Sequence, residues 1–314
     1  MANILVTGGA GFIGSHLVRA LCARNDSVRV LDNFSTGRGE NLAGLGDRLE
    51  VIEGDLRDIP TLSQVVRGVE TIFHLAAFVS VPQSMSDPET CFAVNAGGTV
   101  SLLEAARQAG TRKVVLASST AVYGDTQVFP TGEDTPLRPL SPYAVSKQVN
   151  ELYARLYTQT LNLPVVPLRF FNVYGPRQRP DSAYAAAIPI FLRRLLDGQP
   201  ITVFGDGKQT RDFIFVRDVV QAMLFASGSD AAGEAFNICT GSEVSILDLL
   251  EELSGVAPRQ PEVRFEAPRP GDIHRSVGNP EKAAAALGFR AQTSLADGLK
   301  QTLDWMKSGL DPHA

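Results

Sequence analysis

Cysteine is scarce: Cys22, Cys91 and Cys239 are the only three in 314 residues. They lie far apart with no metal-ligand spacing, and read as buried thiols in a reducing compartment. No metal is expected. Long apolar runs are missing as well. None approaches the roughly 20 residues that cross a bilayer, so no membrane segment is expected. The N-terminus enters a strand pattern directly, without a signal-peptide pattern, and a cytoplasmic location is the expectation. Basic blocks are absent too. With 29 Lys and Arg against 34 Asp and Glu, the formal charge is −5 and no positive arm stands out. Nucleic acid is therefore excluded as a partner. No internal repeat or low-complexity run occurs. What is there, 44% hydrophobic and 20% charged residues, suits a globular chain with a substantial core, as one large domain or two ordinary ones.

Asn3-Ile4-Leu5-Val6-Thr7 reads as a buried strand running into Gly8-Gly9-Ala10-Gly11-Phe12-Ile13-Gly14 and then a helical pattern through Leu17, Val18 and Leu21. Glycines belong here because the turn is tight, the backbone must approach a pyrophosphate, and helix and strand pack closely. A helix N-terminus then faces the phosphates with its partial positive charge. A second strand ends at Asp32, 18 positions after Gly14, close to the roughly 20 expected for an acid that binds ribose hydroxyls. A carboxylate there repels a 2′-phosphate, and Asn33 adds no compensating charge, so NAD is favoured over NADP despite Arg38 nearby. Strands follow at residues 49–52 and 71–74. Asp55, after the first, is placed to accept a bond from an adenine amine or to cap the loop. Leu75, Ala76 and Ala77 are small enough for a cofactor to pass; His74 reads as a packed core histidine. Asn95 begins a helix or caps it. A fifth strand, residues 113–117, carries Ser118 and Ser119 to its C-terminal end, the edge where open α/β sheets bind ligands. Strands alternating with helices at this rhythm give a parallel, doubly wound Rossmann sheet.

Tyr143 and Lys147 stand four residues apart. If residues 141–161 form a helix, both side chains share one face. A free phenol titrates near pH ~10, and an adjacent cation favours its phenolate. Reaching neutrality takes roughly 4 kcal/mol, at about 1.4 kcal/mol per unit, which a buried lysine together with a cationic cofactor would supply. Such a base removes a proton from an alcohol. By itself the pair is equally a half-buried aromatic and a solvated charge.

These pieces together resemble the extended short-chain dehydrogenase/reductase family. The resemblance runs through the glycine turn, Asp32-Asn33, Gly54-Asp55-Leu56, His74-Leu75-Ala76-Ala77, Asn95, Ser118-Ser119, and Tyr143 with Lys147. It continues through Arg169-Phe170-Phe171-Asn172-Val173-Tyr174-Gly175-Pro176, Gly205–Asp212 and Pro268-Arg269-Pro270-Gly271-Asp272. It implies a nucleotide-sugar enzyme with Ser119, Tyr143 and Lys147 as catalytic residues. Gly8, Gly11, Phe12, Ile13, Gly14, Asp32, Asn33, Asp55, Leu56, Leu75, Ala76, Ala77, Asn95 and Phe171 would join Tyr143 and Lys147 around NAD. Sugar-nucleotide 4,6-dehydratases carry an Asp-Glu pair where this chain has Thr120 and Ala121, and UDP-glucuronate decarboxylases place a glutamate at Ala121. A bare Ser119 is similar to the UDP-sugar 4-epimerases instead.

From about Arg169 the pattern loosens into proline-rich loop and short helices. The expected arrangement is an NAD-binding domain over 1–170 and a smaller, interleaved α/β UDP-sugar domain over 171–314, with residues 213–239 returning to the first. The resemblance puts Asn172, Arg211, Arg269 and Asp272 on the UDP moiety, guanidinium groups being suited to phosphate oxygens. Val203 and Phe204 flank the uracil or form a core strand. Ser276 stands where glucose-restricted relatives hold a bulky aromatic, and its small side chain leaves room for an N-acetyl group. The segment 179–187 also resembles acetamido-sugar epimerases. UDP-GlcNAc/UDP-GalNAc and UDP-Glc/UDP-Gal are the expected substrates. The alternatives are UDP-glucuronate 4-epimerisation, another nucleotide-sugar oxidoreductase, or a non-catalytic NAD sensor, which would lack the Tyr/Lys pair. A homodimer through the helices near Asn95 and Ser141 is implied, although Val145, Val149, Leu152 and Leu156 equally suit a core face.

Overall fold

Strand β1 (Asn3–Thr7) is buried at four of its five residues, as a strand covered on both faces must be. It ends at Gly8, which has a φ of +71° and on which a Cβ would stand 2.6 Å from the Ala76 nitrogen. Only glycine satisfies both conditions. The chain, a computed structural model described over residues 2–180, 187–256, 261–268, 271 and 273–309, then alternates strand and helix. In order come α1 (Phe12–Ala23), β2 (Ser27–Asp32), β3 (Leu49–Glu53), α2 (Ile59–Val65) and β4 (Thr71–His74). After them follow α3 (Val81–Ser86), α4 (Pro88–Phe92), α5 (Gly98–Gln108), β5 (Lys113–Ser119), α6 (Pro142–Thr160) and β6 (Val165–Phe170). The expected helix over 141–161 is α6, capped by the Ser141 hydroxyl, which accepts from the Ala144 amide at 3.1 Å. Asn95 does not begin a helix. It lies in a π-helical turn, Ala93–Gly97, that joins α4 to α5.

The second half contributes β7 (Asn172–Tyr174), α7 (Ala187–Asp197), β8 (Ile201–Phe204), β9 (Thr210–Arg211), β10 (Phe213–Phe215) and α8 (Val216–Gly228). It closes with β11 (Phe236–Ile238), β12 (Val244–Ser245), α9 (Ile246–Val256), β13 (Val263–Glu266), α10 (Glu281–Leu287) and α11 (Leu295–Ser308). Seven strands form one sheet in the order β11-β6-β5-β4-β1-β2-β3, all paired in parallel. Chain direction through the sheet reverses between β1 and β4, and ligands bind outside the carboxyl ends of strands at such a point. Leu17, Val18 and Leu21 of α1 pack with Met223 of α8 on one side of the sheet. Leu62, Leu102, Leu103 and Ala154 of α2, α5 and α6 cover the other. A third core, with Tyr174, Phe191, Phe215, Leu249 and Leu303, holds the smaller lobe. The segment returning to the large sheet is α8 and β11; Phe213–Phe215, expected with it, pairs with β7 instead.

A buried ion pair ties the sheet edge to α6. Arg169 of β6 meets Glu151 of α6 at 2.7 Å, with side chains 6% and 9% exposed. Ser118 donates to the same carboxylate at 2.6 Å, and Arg169 also donates to the Tyr123 hydroxyl at 2.7 Å, which donates onward to Asn237 of β11. Removing one partner leaves the other charge buried alone, at a cost of about 3–5 kcal/mol. Thermal unfolding should therefore show Glu151→Ala far less stable than a Glu151→Leu, Arg169→Met double variant; equal losses would mean the pair is not buried as described.

Candidate active site

A cleft of about 920 Å³ opens at the reversal between β1 and β4. Gly8, Gly11, Phe12, Ile13 and Gly14 form its floor, with Asp32, Asn33, Asp55 and Leu56 at one end and Leu75, Ala76 and Ala77 along a side. Helix α1 starts without a side-chain cap and with no acid in its first turn, so its N-terminal amides are available to an anion. A Cβ on Gly14 would stand 2.1 Å from the Gly8 oxygen, so the turn cannot carry a larger residue there. Asp32 is fixed by the Ala10 and Phe34 amides, each 2.9 Å from one of its oxygens. Asp55 accepts from Arg57 and from Asn33. The Arg57 guanidinium, with Asn33 helping, holds its carboxyl well below the usual range.

Ser119 closes β5, while Tyr143 and Lys147 share one face of α6, and all three line the same cleft with Phe171. The buried Lys147 ammonium donates to the Ala117 carbonyl at 2.9 Å and lies 5.7 Å from the Tyr143 ring centroid. Burial lowers its pKa from 10.5 to about 8. Tyr143 moves the other way. Burial raises its pKa, with the Ser119 hydroxyl pulling it back. The expectation joined the lysine to a cationic cofactor, and without that cofactor Lys147 leaves the phenol above its ordinary pKa. Desolvation disfavours both charged forms, and the ammonium is engaged by a backbone carbonyl rather than by the phenol oxygen.

Asn95 is buried and is not among the residues that line the cleft. Its amide oxygen accepts from the Phe78 amide at 2.7 Å, and its nitrogen donates to the Phe78 carbonyl and to Ser146, each at 3.0 Å. It therefore pins the loop carrying Leu75–Ala77 to α6. His74 is a core residue, bridging Thr7 at 2.7 Å and Thr99 at 2.9 Å. Burial holds its pKa at about 3, so the ring is neutral.

A second cleft, of about 570 Å³, adjoins the first through Val173. Asn172, Val203, Phe204 and Arg211 line it, and so do Arg194, Thr202, Gln209 and Glu266. Val203 is both buried in β8 and part of the wall. Arg269 and Asp272 lie outside the described residues, as does most of the segment 179–187. Ser276 is half-buried and is not among the residues lining either cleft. Sequence reasoning missed Arg194, which α7 brings to Thr202 at 2.7 Å, and Trp305, which α11 brings to the first cleft. Neither sits in a motif, so no local signal announces it. Arg177 and Gln178 also line the first cleft, and they directly follow a stretch that was singled out.

A doubly wound sheet with a glycine turn, an acid at the end of its second strand and a Tyr/Lys pair at one cleft defines a dinucleotide-dependent enzyme. The chain belongs to the NAD dependent epimerase/dehydratase family, whose sequence model matches residues 4–239. It is 42% identical to the UDP-glucose 4-epimerase of Mycolicibacterium smegmatis, over 97% of this chain and 98% of that protein. Among solved structures it is similar to a UDP-N-acetylglucosamine 4-epimerase from Methanobrevibacter ruminantium in complex with UDP-N-acetylmuramic acid (TM-score 0.95, 36% identity, 98% and 99% of the two chains). It is likewise similar to a UDP-glucose 4-epimerase from Thermus thermophilus in complex with NAD (TM-score 0.88, 39% identity, 97% and 99%). The cofactor of the family is NAD, and the residues fit it: the glycine turn leaves open the space beside α1 that a pyrophosphate needs, and Asp32 stands where a 2′-phosphate would be repelled.

The Lys147 shift sets a pH dependence of stability. Its folded pKa, about 8, lies below the ordinary 10.5. Between those values the unfolded chain binds more protons than the folded one, so stability rises with pH. In NAD-free protein, Lys147→Met should unfold at a higher temperature than the wild type near pH 7, with the gap narrowing toward pH 10. Parallel pH profiles of Tm would show that Lys147 is not desolvated.

Proposed function

We propose that the protein is a UDP-sugar 4-epimerase. The observation that carries this is the convergence of Ser119, Tyr143 and Lys147 on one cleft edge where Thr120 and Ala121 supply no acid. Inverting C4 of a sugar requires a hydride and a proton to leave and return. When bound, oxidised NAD supplies the hydride acceptor and a positive ring that favours the Tyr143 phenolate. The Tyr143 oxygen takes the proton of the 4-hydroxyl, and Ser119 hydrogen-bonds the same substrate oxygen. Lys147, held by the Ala117 carbonyl, would hold the nicotinamide ribose and keep a positive charge behind the phenol. Ala121 donates its amide to Ser119 Oγ at 3.2 Å, which fixes the hydroxyl at the strand end. Dehydration needs an acid and a base beyond this set, and a methyl group at Ala121 provides neither.

The second cleft would take the uridine, with Phe204 and Val203 beside the base, and Asn172, Arg211, Arg269 and Asp272 around the diphosphate and ribose. Acceptance of N-acetylated sugars beside plain hexoses rests on the family resemblance at Ser276, which lines neither cleft. Incubation with UDP-GlcNAc, UDP-Glc and UDP-GlcA separately, followed by sugar analysis, should show C4 inversion of the first two. Tyr143→Phe should keep its NAD and lose turnover by about a thousandfold or more. Inversion by that variant at the wild-type rate, or release of NADH in step with substrate loss, would sink the reading.

A homodimer belongs to the same proposal. Val145, Leu152 and Leu156 on the outer face of α6 are 45%, 61% and 45% exposed, beside Phe92 at 60% and Met85 at 63%. The face is not core, and a contiguous apolar stripe of this kind marks an association surface. Sedimentation should give a dimer for the wild type and a monomer for Leu152→Asp; a wild-type monomer at micromolar concentration would exclude this surface as an interface. The three free thiols suit a reducing, cytoplasmic setting.

A further inference from the structure

Immediately after β7 the backbone does something costly. Arg177 adopts a φ of +67°, a left-handed conformation rarely taken by a long side chain. Strain of this kind persists only where surroundings enforce it, and it clusters at ligand clamps. The enforcement is visible. His16, on the second turn of α1, places Nε2 2.8 Å from the Pro176 carbonyl. Its ring is also edge-on to Phe12 at 6.0 Å. Burial, together with Arg177, Arg19 and Arg217, outweighs the bond to Pro176 and lowers its pKa to about 4. It is therefore neutral above that pH, and its Nε2–H donates to the carbonyl.

The result is that Arg177 lines the first cleft, next to the first turn of α1. Among the described residues its guanidinium has no hydrogen-bond or ion-pair partner. Burial and the nearby Arg19 lower its pKa, as for a desolvated cation that lacks a counter-ion. A half-buried guanidinium without an anion, held by a strained backbone against a helix N-terminus that also has no acid, is an incomplete electrostatic arrangement. Its natural complement is a ligand that brings two negative charges.

We propose that Arg177 is a second jaw for the dinucleotide diphosphate, closing from the small lobe onto the phosphates that the glycine turn holds from below, with His16 as its positioning residue. The planar fork of a guanidinium matches phosphate oxygens two at a time. The jaw links the two lobes, because Arg177 follows β7 whereas His16 belongs to α1. It rests on the NAD half of the function proposed above and not on the sugar.

The test is calorimetric titration of NAD into protein stripped of cofactor, with no sugar nucleotide present, for Arg177→Gly, Arg177→Lys and His16→Ala. Glycine suits the φ of +67°, so Arg177→Gly should fold with an undiminished Tm and yet bind NAD about 10- to 100-fold more weakly, the range for losing a charge-assisted bond. Arg177→Lys should retain most of the affinity, and His16→Ala should lose part of it. Wild-type NAD affinity in Arg177→Gly overturns the proposal. So does weakened UDP binding with NAD binding unchanged, which would assign the residue to the sugar nucleotide. Variants that lose NAD affinity as expected, beside an NAD-loaded wild type that inverts no UDP-sugar, would leave this jaw standing and remove the epimerase reading.

Discussion

One buried ammonium organises this molecule. Lys147 lies inside the protein on the Ala117 carbonyl, and a charge removed from water has to be met by aligned dipoles or opposite charges. Strand β5 provides the carbonyl, and α6 provides the lysine and, one turn further, Glu151. That carboxylate is itself held by Arg169 and Ser118, so the face of α6 that carries Tyr143 and Lys147 is clamped to the carboxyl edge of the sheet. The phenol one turn before Lys147 inherits that rigidity.

The rest of the site continues the same logic. Asn95 uses its amide to fasten the Phe78 peptide to α6, and a π turn is what brings that side chain to the loop, an insertion often found near functional sites. Asp32 is locked by two amides before any ribose arrives. Catalytic groups held by packing and hydrogen bonds lose little entropy when substrate binds. The charge balance is left unfinished, since burial raises the Tyr143 pKa and lowers that of Lys147. In the proposed mechanism a positive cofactor ring would tip that balance toward the phenolate.

The two clefts share Val173, which explains why β7 and the loop after it matter to both. On the function proposed above, the first cleft would hold the dinucleotide and the second the uridine, with the reacting carbon of the sugar where they meet. Arg177, in the loop just after β7, lines the first cleft and is tied to α1 through the bond from His16 to Pro176.

Much of this was legible in the chain itself. The glycine turn, Asp32, the strand ending at Ser119 and the helix from Ser141 follow local rules: no Cβ where backbone meets backbone, an acid at a set distance, a capping hydroxyl, and a four-residue spacing that aligns two side chains. Other features depended on partners distant in sequence. Whether the Val145–Leu156 stripe is core or surface depends on what packs against α6, and periodicity is the same in both cases. The pKa values of Tyr143 and Lys147 come from burial, which no spacing encodes. Trp305 reaches a cleft whose other lining residues all lie at or before Pro180, and Arg177 acquires its meaning only from His16, 161 positions away. Local chemistry determined the parts and the parallel, doubly wound class of the sheet; tertiary packing alone decided which charges went without water and which side chains faced each other across the fold.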